Sequence, residues 1–471
     1  MMDWPRIVNN NRAFDGIAVI DDGLSYSYHD FFSHVFSAAL KLERLGAQRV
    51  AIRAPQDFFS YTMIWACYLS GVVFCPIGDN IPEARYRYYL EVFEPDLIID
   101  TISSSTLMSD FFTYEENLNF VPASFDSNKT AYVIFTSGST GKPKGVRITR
   151  YGFENFLSWS TEAYCLQEND VYGQYSSLGF DLCLMDIFTG IICKTTLIPF
   201  GKTGEKLLPA LKIKKYKITF WHSVPTVVDL LNNAGHLNHD YLSTLKTISF
   251  CGEKLYPSQI SALFSINPSL TVFNTYGPTE TTLFCTFQRI RAPEIHSFST
   301  DTVSIGQPIP GYHLELINIL DGIGEMVICG HCIGQGYLPD NSPSSSYGTF
   351  YVSGQIMPAF YSGDFAKIID NNLYFIERKD SQIKIKGNRV DFSEINNLFR
   401  EFGCIAAVSI YNKGKIISYV IDSHHSHDWL MENLANFLPS YYLPAKIIFC
   451  NEFPYLPSGK VDMDLLKLLN E

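Results

Sequence analysis

The sequence predicts an α/β protein: a large N-terminal domain of mostly parallel, helix-covered sheets with a small β subdomain, then a mobile, small C-terminal α+β domain. Three observations lead there. Strand and helix patterns alternate through the first two thirds of the 471 residues. After about residue 300 short strands and turn residues replace them, and a compact strand–helix–strand tail begins at Asp380. The expected domains are therefore 1–379 and 380–471.

RVAIRAP (49–55) reads as a buried strand, and DFFSYTMIWACYLSG (57–71) as an apolar helix closing on Gly71. VVFCPI follows as strand, PEARYRYYLEVF as helix and DLIID as strand. The rhythm returns with KITFWHS as strand, PTVVDLLNNAG as helix, LKTISFCGE as strand, PSQISALFS as helix and TVFNTYG as strand. Such alternation implies parallel strands with ligands at their carboxyl ends. HLELIN, GEMVICG and LYFIERKD are the short strands of the subdomain, and NSPSSSYG (341–348) is expected to be a surface loop. SQIKIKGNRVD, FSEINNLFREFG and CIAAVSIYN supply strand, helix and strand to the tail.

A net charge of −12 argues against a nucleic-acid partner, which would need a basic stripe. Eleven cysteines are scattered without a framework, several inside apolar runs such as WACYLSGVVFCPI. Thiols behave that way as small hydrophobes in a reducing compartment. MMDWPRIVNNNR lacks the apolar core of a signal peptide, and no stretch is clean enough to span a bilayer. A soluble cytoplasmic protein with no membrane insertion is expected.

FTSGSTGKPKG (135–145) follows the apolar run AYVI and has the composition of a phosphate loop: small residues admit backbone N–H groups, and hydroxyls and ammonium groups add donors. It is not a Walker loop. Gly138 and Gly141 are too close together, Pro143 stands where a magnesium-binding hydroxyl belongs, and GVRIT alternates like a strand. A strand–loop–strand hairpin is expected.

FTSGSTGKPKGV resembles the signature loop of the adenylate-forming superfamily, which includes acyl-CoA synthetases, luciferases and peptide adenylation domains. NTYGPTETT (274–282), YSGDFAKI (361–368), ERKDSQIKIKGNRVDFSEI (377–395) and LPSGKVD (456–462) resemble its adenine, ribose, hinge and catalytic-lysine motifs, in family order. The resemblance implies ATP and Mg2+ as cofactors and attack of a carboxylate on the α-phosphorus. Thr136, Ser137, Gly138, Thr140, Gly141 and Lys142 would then hold the departing phosphates. Asn274, Thr275, Tyr276, Gly277, Pro278, Thr279 and Phe375 would border the nucleotide, Asp364 and Arg378 the ribose, and Glu280 would hold the metal. Lys460 would bridge substrate carboxylate and α-phosphate, and Asp380 would be the hinge that brings Lys386 and Gly387 toward a pantetheine thiol. Two positions depart from the family pattern: Glu377 replaces a glycine, and Gln335 an arginine.

SSLGFDLCLMDIFTG (176–190) resembles the amino-acid-activating branch, where the aspartate, here Asp181, grips the α-ammonium. A carboxylate among Phe180, Leu182 and Met185 suits a cationic guest, because burial without one is costly; the same residue could instead be a helix N-cap. FDL-x-MDI, FCGE and NTYGPTE are close to the pattern of D-alanine–carrier protein ligases. The pocket positions carried over are Asp181, Leu182, Met185, His222, Ser249, Cys251, Thr275, Leu283 and Phe284, with Lys460. Their bulk favours a small amino acid, D-alanine first. His222, Ser249 and Phe284 are unlike a D-alanine pocket and leave another small amino acid open. No carrier-domain serine motif follows Lys460, so a separate phosphopantetheinyl carrier protein is expected.

CGHC (329–332) has redox spacing but lies in a strand-and-turn context, and HHSHD (424–428) reads as a polar loop and cap. An acyl- or aryl-CoA ligase is the enzyme alternative, and a nucleotide-binding sensor or scaffold the non-enzyme one.

Overall fold

The computed structural model describes residues 2–102, 111, 120–123, 126–137, 142–339, 346–378, 382–385, 388–422, 424–454 and 461–468. The chain divides into two compact units. The larger comprises Met1–Asp79, Val92–Phe135 and Gly145–Lys379; the smaller comprises Asn80–Glu91, Thr136–Lys144 and Asp380–Glu471. Most of the helix Glu83–Phe93 thus groups with the C-terminal segment.

Among the described residues, the larger unit is built on sheets of nine, six and five strands. In the first, Thr271–Tyr276, Thr247–Phe250, Phe220–Ser223, Val171–Gln174, Thr196–Pro199 and Ile17–Asp21 are neighbours and all parallel. Antiparallel strands close both edges. In the second, Arg49–Ala54, Val73–Gly78, Leu97–Asp100 and Thr130–Thr136 are parallel, with Lys144–Thr149 next to the last. Parallel strands need crossover connections, commonly helices, which is why the alternation was readable. The third sheet is antiparallel throughout and forms the β subdomain.

Three local readings change. KITFWHS becomes strand only at Phe220, because Lys217 (φ 54°) is the left-handed cap of the helix Pro209–Tyr216. In NSPSSSYG, Tyr347 and Gly348 open the strand Tyr347–Val352, paired with Phe360 and Ala359; residues 341–345 lie outside the described residues. The hairpin Ile17–Asp21 with Leu24–Ser27 carried no expectation.

The element that matters most for the site is the helix Leu182–Ile192, buried from Cys183 to Ile191. Phe188 stacks on Trp65 at 4.6 Å and meets Tyr68 and Phe153 edge-on at 5.1 Å. Aromatic pairs of this kind add to plain area burial. On the same helix, the buried Asp186 accepts the Tyr172 hydroxyl at 2.8 Å. So anchored, the helix fixes where its first residues point.

In the smaller unit Gln382–Ile385 pairs antiparallel with Asn388–Asp391, and Asp391 caps the helix Phe392–Glu401 by accepting from Ser393 N. Ala406–Asn412, Lys415–Ile421 and Lys446–Phe449 form its sheet. Ile395, Phe399, Val420, Leu430 and Leu434 fill the core. The cap at HHSHD is Ser426, which accepts from Trp429 N.

Candidate active site

Asp181 stands at the N-terminus of the anchored helix and is 8% exposed. A helix-capping aspartate would accept an amide of the first turn; Asp181 makes no such bond. Its own backbone is helical (φ −59°, ψ −32°), which is not the extended conformation a capping residue adopts. The carboxylate is therefore not spent on capping its helix. Burial first, and the Asp181 charge next, hold the Tyr132 phenol protonated, so the ring of Tyr132 lies within the field of that carboxylate.

Met185 lies one turn beyond Asp181 on the same helix face. The Tyr164 hydroxyl reaches its sulfur at 3.7 Å and the Ser249 hydroxyl at 3.1 Å. Ser249 pairs in register with His222 on the neighbouring parallel strand. Parallel register puts both side chains on one face of the sheet. The His222 ring lies parallel to that of Phe284, 3° apart in plane with centroids at 6.3 Å. Cys251 sits just beyond Ser249, its amide bonded to Ser223 O at 3.2 Å. Met185, Ser249, His222 and Phe284 are thus linked in one region of the larger unit, with Asp181 and Cys251 adjoining them along the chain.

Leu283 and Phe284 reach it through an unusual turn. Thr279–Thr281 forms a 3-10 turn, after which Thr282 (φ 58°) and Leu283 (φ 71°) are both left-handed. Each such residue costs about 1–3 kcal/mol and persists only where its surroundings over-determine it. They do so here. Thr282 Oγ1 donates to Cys332 O at 2.6 Å, Tyr312 Oη donates to Thr281 O at 2.6 Å, and Cys285 N returns to Tyr276 O at 2.8 Å. This gives CGHC its structural part: a carbonyl of the motif anchors the turn, and both cysteines are buried free thiols.

Beside the turn, Tyr276 donates from its hydroxyl to Asp364 Oδ2 at 2.5 Å, and Arg378 Nη1 lies 2.7 Å from Asp364 Oδ1. Phe375 tilts toward Tyr276 at 6.1 Å, with the Lys254 ammonium 5.6 Å from its ring centre. Asn274 donates its amide to Val303 O and Ser304 O, and Thr275 its hydroxyl to Phe250 O. Gly277 has no room for a side chain, because a Cβ there would lie 2.3 Å from Phe284 Cα. Pro278 is extended, Thr279 half-buried, and Glu280, 1% exposed, accepts the Tyr337 hydroxyl at 2.8 Å.

Thr136, Ser137 and Lys142 fall in the segment grouped with the smaller unit, where Ser137 is buried and Lys142 exposed. Gly138, Thr140, Gly141, Asp380, Lys386, Gly387 and Lys460 lie outside the described residues. Sequence reasoning missed Tyr132, Tyr164, Tyr312 and Tyr337, whose hydroxyls support or border the site. A tyrosine in a core strand or at a helix end gives no sign in sequence of what its hydroxyl will meet. Lys206 was missed as well: it donates to Ser177 Oγ at 3.0 Å, and burial lowers its ammonium to about 8.

A parallel strand ending at Tyr276, whose hydroxyl meets a carboxylate–guanidinium pair of the antiparallel sheet, beside a cluster of buried polar side chains, is the arrangement of a nucleotide-using α/β enzyme. The chain belongs to the AMP-binding enzyme family, whose profile matches residues 8–338. It is 27% identical over 431 residues to a D-alanine–D-alanyl carrier protein ligase of Listeria innocua, with 84% of each chain covered. It is 29% identical over 484 residues to the enzyme of that name from Staphylococcus aureus, with 97% of each covered. Its fold matches the Vibrio cholerae adenylation domain AlmE, solved with glycyl-adenosine-5'-phosphate, at a TM-score of 0.86 and 24% identity over 99% of this chain and 97% of that one.

Proposed function

We propose that the protein activates a small amino acid with ATP as an aminoacyl-adenylate and passes it to the phosphopantetheine thiol of a separate carrier protein in the cytoplasm. D-alanine is the first candidate, after the curated relatives. The observation that carries this reading is Asp181, a buried carboxylate that does not cap its own helix. An α-ammonium is a guest group that a buried carboxylate at a substrate's end attracts; a fatty or aryl acid brings no such group.

One oxygen of the substrate carboxylate attacks the α-phosphorus, the bond to the pyrophosphate oxygen breaks, and pyrophosphate leaves. A thiolate then attacks the acyl carbon and AMP departs. Both steps depend on positioning and charge neutralisation more than on covalent catalysis. Asp181 holds the ammonium end. Asp364 receives the ribose hydroxyls: each carboxylate oxygen has two acceptor sites, so the Tyr276 and Arg378 contacts leave capacity. Glu280, a buried oxygen donor pinned by Tyr337, suits Mg2+, which supplies charge neutralisation to the phosphates when bound. Lys460, in the domain 380–471 that would turn about Asp380, donates to the charge developing at carboxylate and phosphate. A donor so placed is worth about 100–1,000-fold in rate.

The test is ATP–pyrophosphate exchange across a panel of small amino acids, followed by transfer to a holo-carrier protein and to free coenzyme A. Exchange that needs an amino acid, is lost in Asp181→Ala and is followed by loading of the carrier supports the reading. Exchange driven by simple carboxylic acids and indifferent to Asp181→Ala would refute it.

A further inference from the structure

We infer that the amino acid taken carries a hydroxyl on a short side chain, that serine is its chemical class, and that His222 reads the hydroxyl. This rests on the amino-acid-activating reading above and puts serine in place of D-alanine, the candidate taken from the relatives' names.

His222 is fully buried, and among the described residues neither Nδ1 nor Nε2 has a hydrogen-bond partner. Buried polar atoms are nearly always satisfied, so an imidazole with both nitrogens open asks for a ligand group. Burial lowers its proton affinity to about 3, so at neutral pH the ring is uncharged, with one donor and one acceptor. A hydroxyl is both donor and acceptor, and matches either nitrogen in either tautomer. A methyl group or a hydrogen, as in alanine or glycine, leaves both nitrogens unmet.

The surroundings set the size. His222 shares its sheet face with Ser249, whose hydroxyl is engaged by Tyr164 at 3.1 Å. Phe284 faces the imidazole in a parallel plane, Leu283 precedes it in the chain, and Met185 meets the same Tyr164 hydroxyl as Ser249; both Met185 and Leu283 are fully or nearly fully buried. Bulky apolar residues at the neighbouring pocket positions favour a short side chain, and the imidazole favours one with a polar tip.

The experiment measures exchange with D- and L-serine, D- and L-alanine and glycine, for the native protein and for His222→Leu and His222→Gln. The expected result is kcat/KM for one serine enantiomer at least about tenfold above either alanine, since a site built for a hydroxyl rejects the analogue that lacks it. That ratio should collapse in His222→Leu and be kept in part by His222→Gln. The native ratio decides even if a variant fails to fold. Alanine or glycine exceeding serine in the native protein overturns this inference alone. Exchange with no amino acid overturns the parent reading and this one with it.

Discussion

Asp364 and Arg378 face each other across adjacent antiparallel strands, carboxylate Oδ1 2.7 Å from guanidinium Nη1, with the carboxylate 2% exposed. The register Asp364↔Arg378 makes the pair a property of the sheet, and Ser362, which donates to Met326 O at 2.8 Å and accepts from Asp364 N at 3.1 Å, braces the strand beside it. Tyr276 meets the second oxygen, so three separate strands converge on one carboxylate.

Removing the guanidinium strands that charge. Arg378→Ala should destabilise the larger unit by about 3 kcal/mol, the low end for a broken buried pair because the arginine side chain is 13% exposed. Tyr276→Phe, which removes one bond to the same ion, should cost about 1.5–3 kcal/mol. Urea unfolding measures both. A stability change within about 0.5 kcal/mol for Arg378→Ala would show that solvent already carries the charge.

Much of this was legible in the sequence, and the limits have physical causes. The apolar run ending at Gly71 produced a helix with a left-handed glycine cap, because that residue can adopt φ 71° without strain. Asp181, Met185, Ser249 and His222 were expected as a set only through the resemblance of FDL-x-MDI and FCGE to the amino-acid-activating branch; periodicity gave the strands and helices that carry them. Other features depend on distant segments. Tyr164 meets Ser249 from 85 residues away and Tyr312 meets Thr281 from 31 away, and neither hydroxyl leaves a trace in local pattern. Nor did local pattern reveal the left-handed pair Thr282–Leu283, since neither residue type favours that conformation.

Gly277 tests how tightly that turn is built. An added Cβ would sit 2.3 Å from Phe284 Cα, 2.8 Å from Cys285 N and 2.9 Å from Leu283 O, all backbone atoms that cannot rotate away. Gly277→Ala should cost about 1–3 kcal/mol or more by overpacking and weaken amino-acid-dependent exchange by displacing Phe284. Gly204→Ala, with nothing within 4 Å, is the control and should stay within about 0.5 kcal/mol of native. Equal midpoints for the two variants would show that the turn yields.

In the smaller unit Arg85 Nη1 lies 2.7 Å from Glu394 Oε1, with side chains 6% and 5% exposed. Arg85 Nε also donates to Tyr89 Oη at 2.8 Å. Burial raises the Glu394 carboxyl above its usual range, and the guanidinium pulls the other way without reversing it. Glu394→Ala should therefore cost about 3–5 kcal/mol by leaving a buried cation unpaired, while the double change Arg85→Met with Glu394→Leu should recover most of it. Denaturant midpoints of the three variants decide. A double variant no more stable than Glu394→Ala would mean that the arginine is needed for its packing on the tyrosines instead.

His222 makes a prediction in pH as well as in specificity. An ordinary imidazole takes up its proton near 6.5, and burial lowers this one to about 3. Between those values the unfolded chain binds a proton that the folded chain refuses, so this residue's effect is a loss of stability as pH falls from about 6.5 toward 3, with none above. One proton corresponds to at most about 1.4 kcal/mol for each pH unit in that window. His222→Phe keeps a ring and removes the titration, so the native protein should lose stability relative to the variant between pH 7.5 and pH 5. Comparing the two by urea unfolding at both pH values cancels the other acid-titrating groups. Parallel losses in the two proteins would mean that the buried ring accepts its proton in place, with a water or carboxylate at hand to stabilise the cation.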